Sequence, residues 1–209
     1  MRPLPPPWLR TLVWIGLSAP GLAIVIVIMS PRNDLPARLA EWQFLIELSA
    51  ALATGVTAAM AAFLSVIPGT GRKALLLPLL PLAIWLGSLG HGCLADWFRL
   101  GPDGLTVTPS WRCFTETVMI SALPAFVLAV MLRRGAPLTP VTTAALGALG
   151  AAGIGNFGLR FFHPQDASIM ILVWQLGSVF LLTALAGLCG RYLFNWASVI
   201  ARSRRFAVG

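Results

Sequence analysis

Charge is what this sequence has least of. Asp, Glu, Lys and Arg together make up 11% of 209 residues, and Lys73 is the single lysine. A water-soluble domain of this length needs roughly twice that share to cover its surface, so the composition excludes an ordinary soluble globule. Also missing are a Gly-rich phosphate loop followed by Lys and Ser or Thr, paired histidines on one helix face, and a serine nucleophile in a recognisable turn. These absences argue against an enzyme. No stretch alternates polar and apolar residues in the manner of an outer-membrane barrel.

What is present is apolar length. Hydrophobic residues make up 57% of the chain, and a hydrocarbon core of about 30 Å needs roughly 20 of them in helical form. Six stretches qualify, and they predict an all-α integral membrane protein, a six-helix bundle in a single membrane domain. The helices are expected near residues 11–30, 43–67, 74–95, 113–132, 140–159 and 168–190. The first resembles a secretory signal, with Ser18-Ala19-Pro20 as a small-residue region, but its apolar run continues to Met29 and predicts a retained helix. The longest segments outside the helices, Asp96 to Arg112 and Arg191 to Gly209, leave no room for a second domain.

The basic residues set an orientation. With both termini in the cytoplasm, ten of the fifteen fall inside: Arg2, Arg10, Arg72, Lys73, Arg133, Arg134, Arg191, Arg202, Arg204 and Arg205. Arg32, Arg38, Arg99, Arg112 and Arg160 fall outside, together with every acidic residue. This is the positive-inside pattern of a multi-pass protein of the bacterial inner membrane, so the net charge of +8 marks topology rather than direct nucleic-acid binding. Trp42, Trp97 and Trp111 are placed as outer interfacial anchors, and Trp8 and Trp196 as inner ones. Pro78 and Pro81 are expected to bend the third helix and Pro124 the fourth.

Small residues recur every four positions at Ala51, Gly55 and Ala59 of the second helix, and at Thr143, Gly147, Ala151 and Gly155 of the fifth. Such ridges let backbones approach where lipid supplies no hydrophobic drive. The fifth helix is the candidate centre of the bundle.

The residues that carry chemistry gather at the outer face. Glu47 and Glu116 lie about one turn inside the boundary, where a carboxylate must be solvated or paired, with Arg112 or Arg160 as candidate partners. With Asp166 they form an outer polar cluster. His91 and Cys93 end the third helix, Cys113 opens the fourth, and His163 precedes the sixth. If the third and fourth helices form a hairpin, Cys93 and Cys113 lie at similar depth. Three readings stand side by side: a redox-sensing thiol pair or disulfide, a zinc or copper site of His91, Cys93, Cys113 and His163, or packing cysteines with interfacial histidines. Cys189 is at the opposite end. The inner halves of the helices hold no carboxylate, which weighs against a proton or cation pathway; a small transporter or channel, or a structural partner of a membrane complex, is the alternative class.

Several blocks carry a resemblance: Pro5-Pro6-Pro7-Trp8, Arg32-Asn33-Asp34-Leu35, Trp42 to Glu47, Gly90 to Trp97, Ser110-Trp111-Arg112-Cys113-Phe114, Arg133-Arg134-Gly135, and Phe162-His163-Pro164-Gln165-Asp166-Ala167-Ser168. In this order the chain resembles the NrsF-type six-helix membrane anti-sigma factors. The resemblance implies that it holds an extracytoplasmic-function sigma factor at the inner membrane and releases it on a periplasmic stress signal. It also implies that Cys93 and Cys113 lie on the sensing side. Proteins of this type resemble one another in a cytoplasmic segment before the first helix, and the expectation here is that such an upstream segment supplies most of the affinity for the sigma factor.

Overall fold

The computed structural model describes residues 5–101, 111–135, 139–163, 173 and 176–194, and among these every regular element is helical. In chain order they are α1 (Pro7–Ile28), the one-turn α2 (Leu35–Arg38), α3 (Trp42–Leu64), a 3-10 turn (Arg72–Leu76), α4 (Leu79–Leu100), α5 (Trp111–Arg133), α6 (Pro140–Leu159) and α7 (Gly177–Phe194). By length and composition four stretches suffice to cross a membrane: α1, α3, Lys73–Arg99 and Thr115–Arg133.

The local chemistry of the starts explains several boundaries. Proline in the first turn opens α1, α2 and α6, where its missing N–H has no helical acceptor to lose. The same reason corrects the expectation for the third segment. Pro78 is the N-cap of α4 and Pro81 falls in its first turn, so these prolines start the helix instead of bending it. Residues 72–76 form the 3-10 turn and α4 runs on to Leu100, past the expected end at residue 95. Within α1 and α5, Pro20 and Pro124 sit inside continuous helices. The carbonyl of Pro124 is used: Trp14 Nε1 donates to it at 2.9 Å across the α1–α5 contact.

The helix rich in Gly and Ala, α6, is the centre, packed against α1, α3, α5 and α7. A methyl group added at Gly153 would sit 2.6 Å from the Gly55 amide nitrogen, and one at Gly150 would sit 3.1 Å from that of Ala59. Both helices thus bring backbone against backbone. The four-residue ridge of α6 does not stay on one partner. Thr143 meets Ser65 just beyond α3, their hydroxyls 2.7 Å apart, while Gly147 lies against Leu132 and Gly155 against Ser121 of α5. Four residues overshoot one 3.6-residue turn by about 40°, and the first such step, from Thr143 to Gly147, already takes the ridge from Ser65 to α5. On another side, Gly187 and Gly190 of α7 approach Val141 and Pro140.

These contacts make α3, α5 and α7 antiparallel to α6. The Pro7 end of α1 and the Phe194 end of α7 therefore arrive at the same end of the bundle, with Ser65, Met131 and Pro140. The other end carries Arg32, Glu47, Glu116, Arg160 and His163.

Two further expectations are corrected. Arg10, placed by sequence in the segment ahead of the first helix, is inside α1 and buried. Its guanidinium donates to the carbonyl of Met131 at 3.0 Å and stacks 4.3 Å from the Phe63 ring centroid. Nor, among the described residues, are the third and fourth segments a closely packed pair. α4 lies along α3, where Trp85 and Leu89 join Ala50 and Ala51 in a small second core, whereas α5 lies along α1 and α6.

Candidate functional site

The end of α6 is held to its neighbours by charge. Arg160, its C-cap residue, pairs with Glu47 of α3, both side chains nearly withdrawn from solvent. The guanidinium lies 4.8 Å from the centroid of the Phe44 ring one turn back on α3, and Gln43 Nε2 donates to the second Glu47 oxygen at 3.4 Å. A carboxylate at this depth requires such partners. Of the two arginines the sequence offered as partners, Arg160 meets Glu47; the side chain of Arg112 lies outside the described residues.

Three residues later His163, 7% exposed, places Nδ1 2.6 Å from Glu116 Oε2 of α5. Among the described residues the other ring nitrogen, Nε2, is buried and has no partner. Arg32, from the α1–α2 connection, completes the end. Its amide donates to the Phe161 carbonyl at 3.0 Å, and its side chain reaches the His163 carbonyl at 3.4 Å. The same guanidinium grips both oxygens of Asp34 at 2.6 and 2.7 Å, which holds that carboxyl well below the usual carboxylate range. Arg38 adds Asp34 at 3.4 Å and Glu41 at 2.9 Å. A carboxyl held low contributes its stability above its unfolded-state value and loses it only as pH falls through the lowered one. The Asp34 link therefore persists throughout the neutral and mildly acidic range.

The arrangement staples three helices: Arg160 ties α6 to α3, His163 ties it to α5, and Arg32 ties both ends of the turn to α1. One turn deeper in α6 Asn156 is 1% exposed; its amide nitrogen donates to the Ala152 carbonyl at 3.1 Å, while Oδ1 is without a partner among the described residues. Buried polar atoms of this kind are uncommon and are sites where water or a ligand has something to bind.

Of the polar residues singled out from sequence, Glu47 is thus paired with Arg160 and Glu116 with His163, both at this end of α6. His91 is exposed on α4, and Cys93 is half-buried about two turns before the end of the same helix. The side chain of Cys113 and the whole of Asp166 lie outside the described residues. Among the described residues no three of His, Cys, Asp and Glu gather closely enough to hold a metal ion. Sequence reasoning missed Arg32 as a structural partner and Asn156 altogether. A lone amide inside an apolar helix was the signal for Asn156; nothing in the sequence links Arg32 to a residue 131 positions away.

The opposite end is basic, whereas at the stapled end arginines and carboxylates are balanced. Lys73, Arg133 and Arg134 are exposed there, Arg72 lies in the same turn as Lys73, and Cys189 of α7 is exposed nearby. The described acidic residues, Asp34, Glu41, Glu47, Asp96 and Glu116, all fall at the stapled end. Trp42 at 73% and Trp97 at 41% exposure project outward at the stapled end, and Trp8 at 55% does so at the basic end. These are the positions of interfacial anchors.

No curated protein and no solved structure matches the chain. One family model, described as negative regulator of sigma F (NrsF), matches residues 1–196, and this chain belongs to that family of negative regulators of a sigma factor.

Proposed function

We propose that this protein is a six-span anti-sigma factor of the bacterial inner membrane, with both termini in the cytoplasm. It holds an extracytoplasmic-function sigma factor at its basic end and releases it when a periplasmic stress signal alters the stapled end. Family membership supports the sigma-factor partner. The observation that carries the geometry is the segregation of charge: described carboxylates at one end, exposed basic turns and both described chain ends at the other. The protein works by binding, without catalysis and without touching nucleic acid.

Signal and output are coupled through α6, whose last turn is stapled and whose first turn packs against α7 and Ser65 at the basic end. Anything that competes for His163 or Glu116 favours one packing of α5 on α6 over another. Allosteric output requires such a differential interaction with two states. The redox or metal reading of the signal rests on Cys93 and Cys113, with His91 and His163 as further donors for zinc or copper.

Affinity capture tests the partner. The full chain, tagged and purified from membranes, is expected to co-purify the sigma factor encoded beside it, and deletion of the chain is expected to raise transcription dependent on that factor. Absence of capture together with unchanged transcription would remove the assignment.

Orientation and thiol chemistry are tested by one labelling experiment. In intact spheroplasts a membrane-impermeant maleimide is expected to modify Cys93 in a Cys113→Ser variant and to leave Cys189 unmodified until the membrane is opened. Labelling of Cys189 from outside would invert the topology. In the otherwise unaltered chain, oxidant should remove labelling of Cys93 and Cys113 together; two thiols that remain reactive would end the disulfide reading.

A further inference from the structure

At the basic end, α5 and α7 both pack on α6 and leave a groove between them that opens sideways. Its floor is Gly147 and Ala148 of α6, its walls include Ala125 and Ala129 of α5 and Ala186 of α7, and Arg133 stands at its end. The groove exists because the floor residues are small: α6 lets α5 and α7 approach it closely, but the two outer helices do not then meet each other along their length. The space is about 150 Å³. An apolar cavity of about that volume holds one benzene, so on the order of six carbons. That is a stretch of one hydrocarbon chain, far too narrow for a helix about 10 Å across.

We propose that this groove binds one acyl chain of an anionic phospholipid, whose phosphate is held by Arg133 and Arg134. The inference rests on the membrane reading given above. Charge complementarity selects the lipid class. Both arginines are exposed at the point where α5 ends and the chain turns at Gly135, the depth of a headgroup when the acyl chain lies along Ala129 and Ala125. A basic residue at the membrane boundary favours an anionic lipid by about fivefold, and pockets between helices with basic rims are a recurrent headgroup site. The acyl chain fills a seam that the protein's own side chains leave open, so the lipid bridges α5 and α7 at the end assigned to the sigma factor.

The test uses the full chain released from nanodiscs and read by native mass spectrometry. The discs contain equal amounts of dioleoyl phosphatidylglycerol and dioleoyl phosphatidylcholine. One phosphatidylglycerol retained per chain is expected, in at least about fivefold preference over phosphatidylcholine. Arg133→Gln, which removes the charge from an exposed position, should lower the preference by about fivefold while a lipid is still retained. Ala148→Leu adds three carbons to the groove and should abolish retention of both lipids. Equal retention of the two lipids by the unaltered chain would overturn the proposal, as would retention indifferent to Ala148→Leu. Retention of a second protein copy in place of lipid, lost in Ala148→Leu, would assign the groove to self-association and overturn it as well. Extraction of the chain from membranes by alkaline carbonate would instead overturn the membrane reading beneath it, so the two failures are distinguishable.

Discussion

Gly153→Leu is expected to destroy the folded bundle. A Cβ at this position would lie 2.6 Å from the amide nitrogen of Gly55, 2.7 Å from its Cα and 3.0 Å from the Ala51 carbonyl oxygen. All three are backbone atoms, so no rotamer change relieves the overlap and α3 must move away from α6 along its length. Overpacking an ordinary core costs about 1–3 kcal/mol, and a clash with main chain belongs at or beyond the top of that range. Gly16 is the control, because it faces open space on α1 and a side chain there meets nothing within 4 Å. In detergent, Gly153→Leu should give aggregated or absent protein on size exclusion while Gly16→Ala melts within a few degrees of the unaltered chain. Comparable melting of both variants would mean that α3 and α6 are not in backbone contact.

Arg160→Leu is expected to cost about 3–5 kcal/mol, because it strands the Glu47 carboxylate with 6% of its side chain exposed. The double variant Glu47→Leu with Arg160→Leu removes the charge left behind and should recover most of that loss. An ion pair withdrawn from water is commonly replaceable by apolar groups of similar volume. Thermal unfolding of the two variants in one detergent distinguishes the outcomes. A double variant no better than Arg160→Leu alone would show that the stacking of Arg160 on Phe44, not its charge, holds the α3–α6 end together. The same pair separates stability from signalling. A stable double variant that represses transcription constitutively would place Glu47 and Arg160 in the sensing device, and one that still responds would make them scaffold.

Much of this was legible because a bilayer leaves few choices. Apolar length marked the helices, and the fifth segment coincides with α6 at residues 140–159. Its central place was readable from glycine and alanine spacing, since only a helix crowded on several sides needs small residues around its circumference. Prolines were harder. At Pro78 and Pro81 a missing N–H is compatible with a helix start or a kinked interior, and the distinction depended on the 3-10 turn that precedes them.

The site was legible as a set of needs rather than a set of pairs. Glu47 required a cation, and the sequence offered Arg112 or Arg160; the antiparallel packing of α3 on α6 is what brings Arg160 to it. For Cys93 and Cys113 only adjacency along the chain was legible. Among the described residues α4 lies along α3 and α5 along α1 and α6, so the pairing of the two thiols is a matter for the labelling experiment. Arg10 misled because a charge beside an apolar run reads as a boundary. A carbonyl at Met131 and the face of Phe63 let it enter the helix instead.

The composition of α6 has a consequence for how the protein is made. Glycine and alanine contribute little to the transfer of a helix into lipid, and Asn156 opposes it, so α6 is absent from the four stretches apolar enough to span a membrane unaided. A helix leaving the insertion machinery is judged before all its neighbours exist. α1, α3 and α5 are already synthesised when α6 emerges, and they offer it the close backbone contacts that lipid cannot. The centre of the bundle is therefore a helix whose entry into the membrane is expected to draw on helices already made, an act of assembly as well as of partitioning.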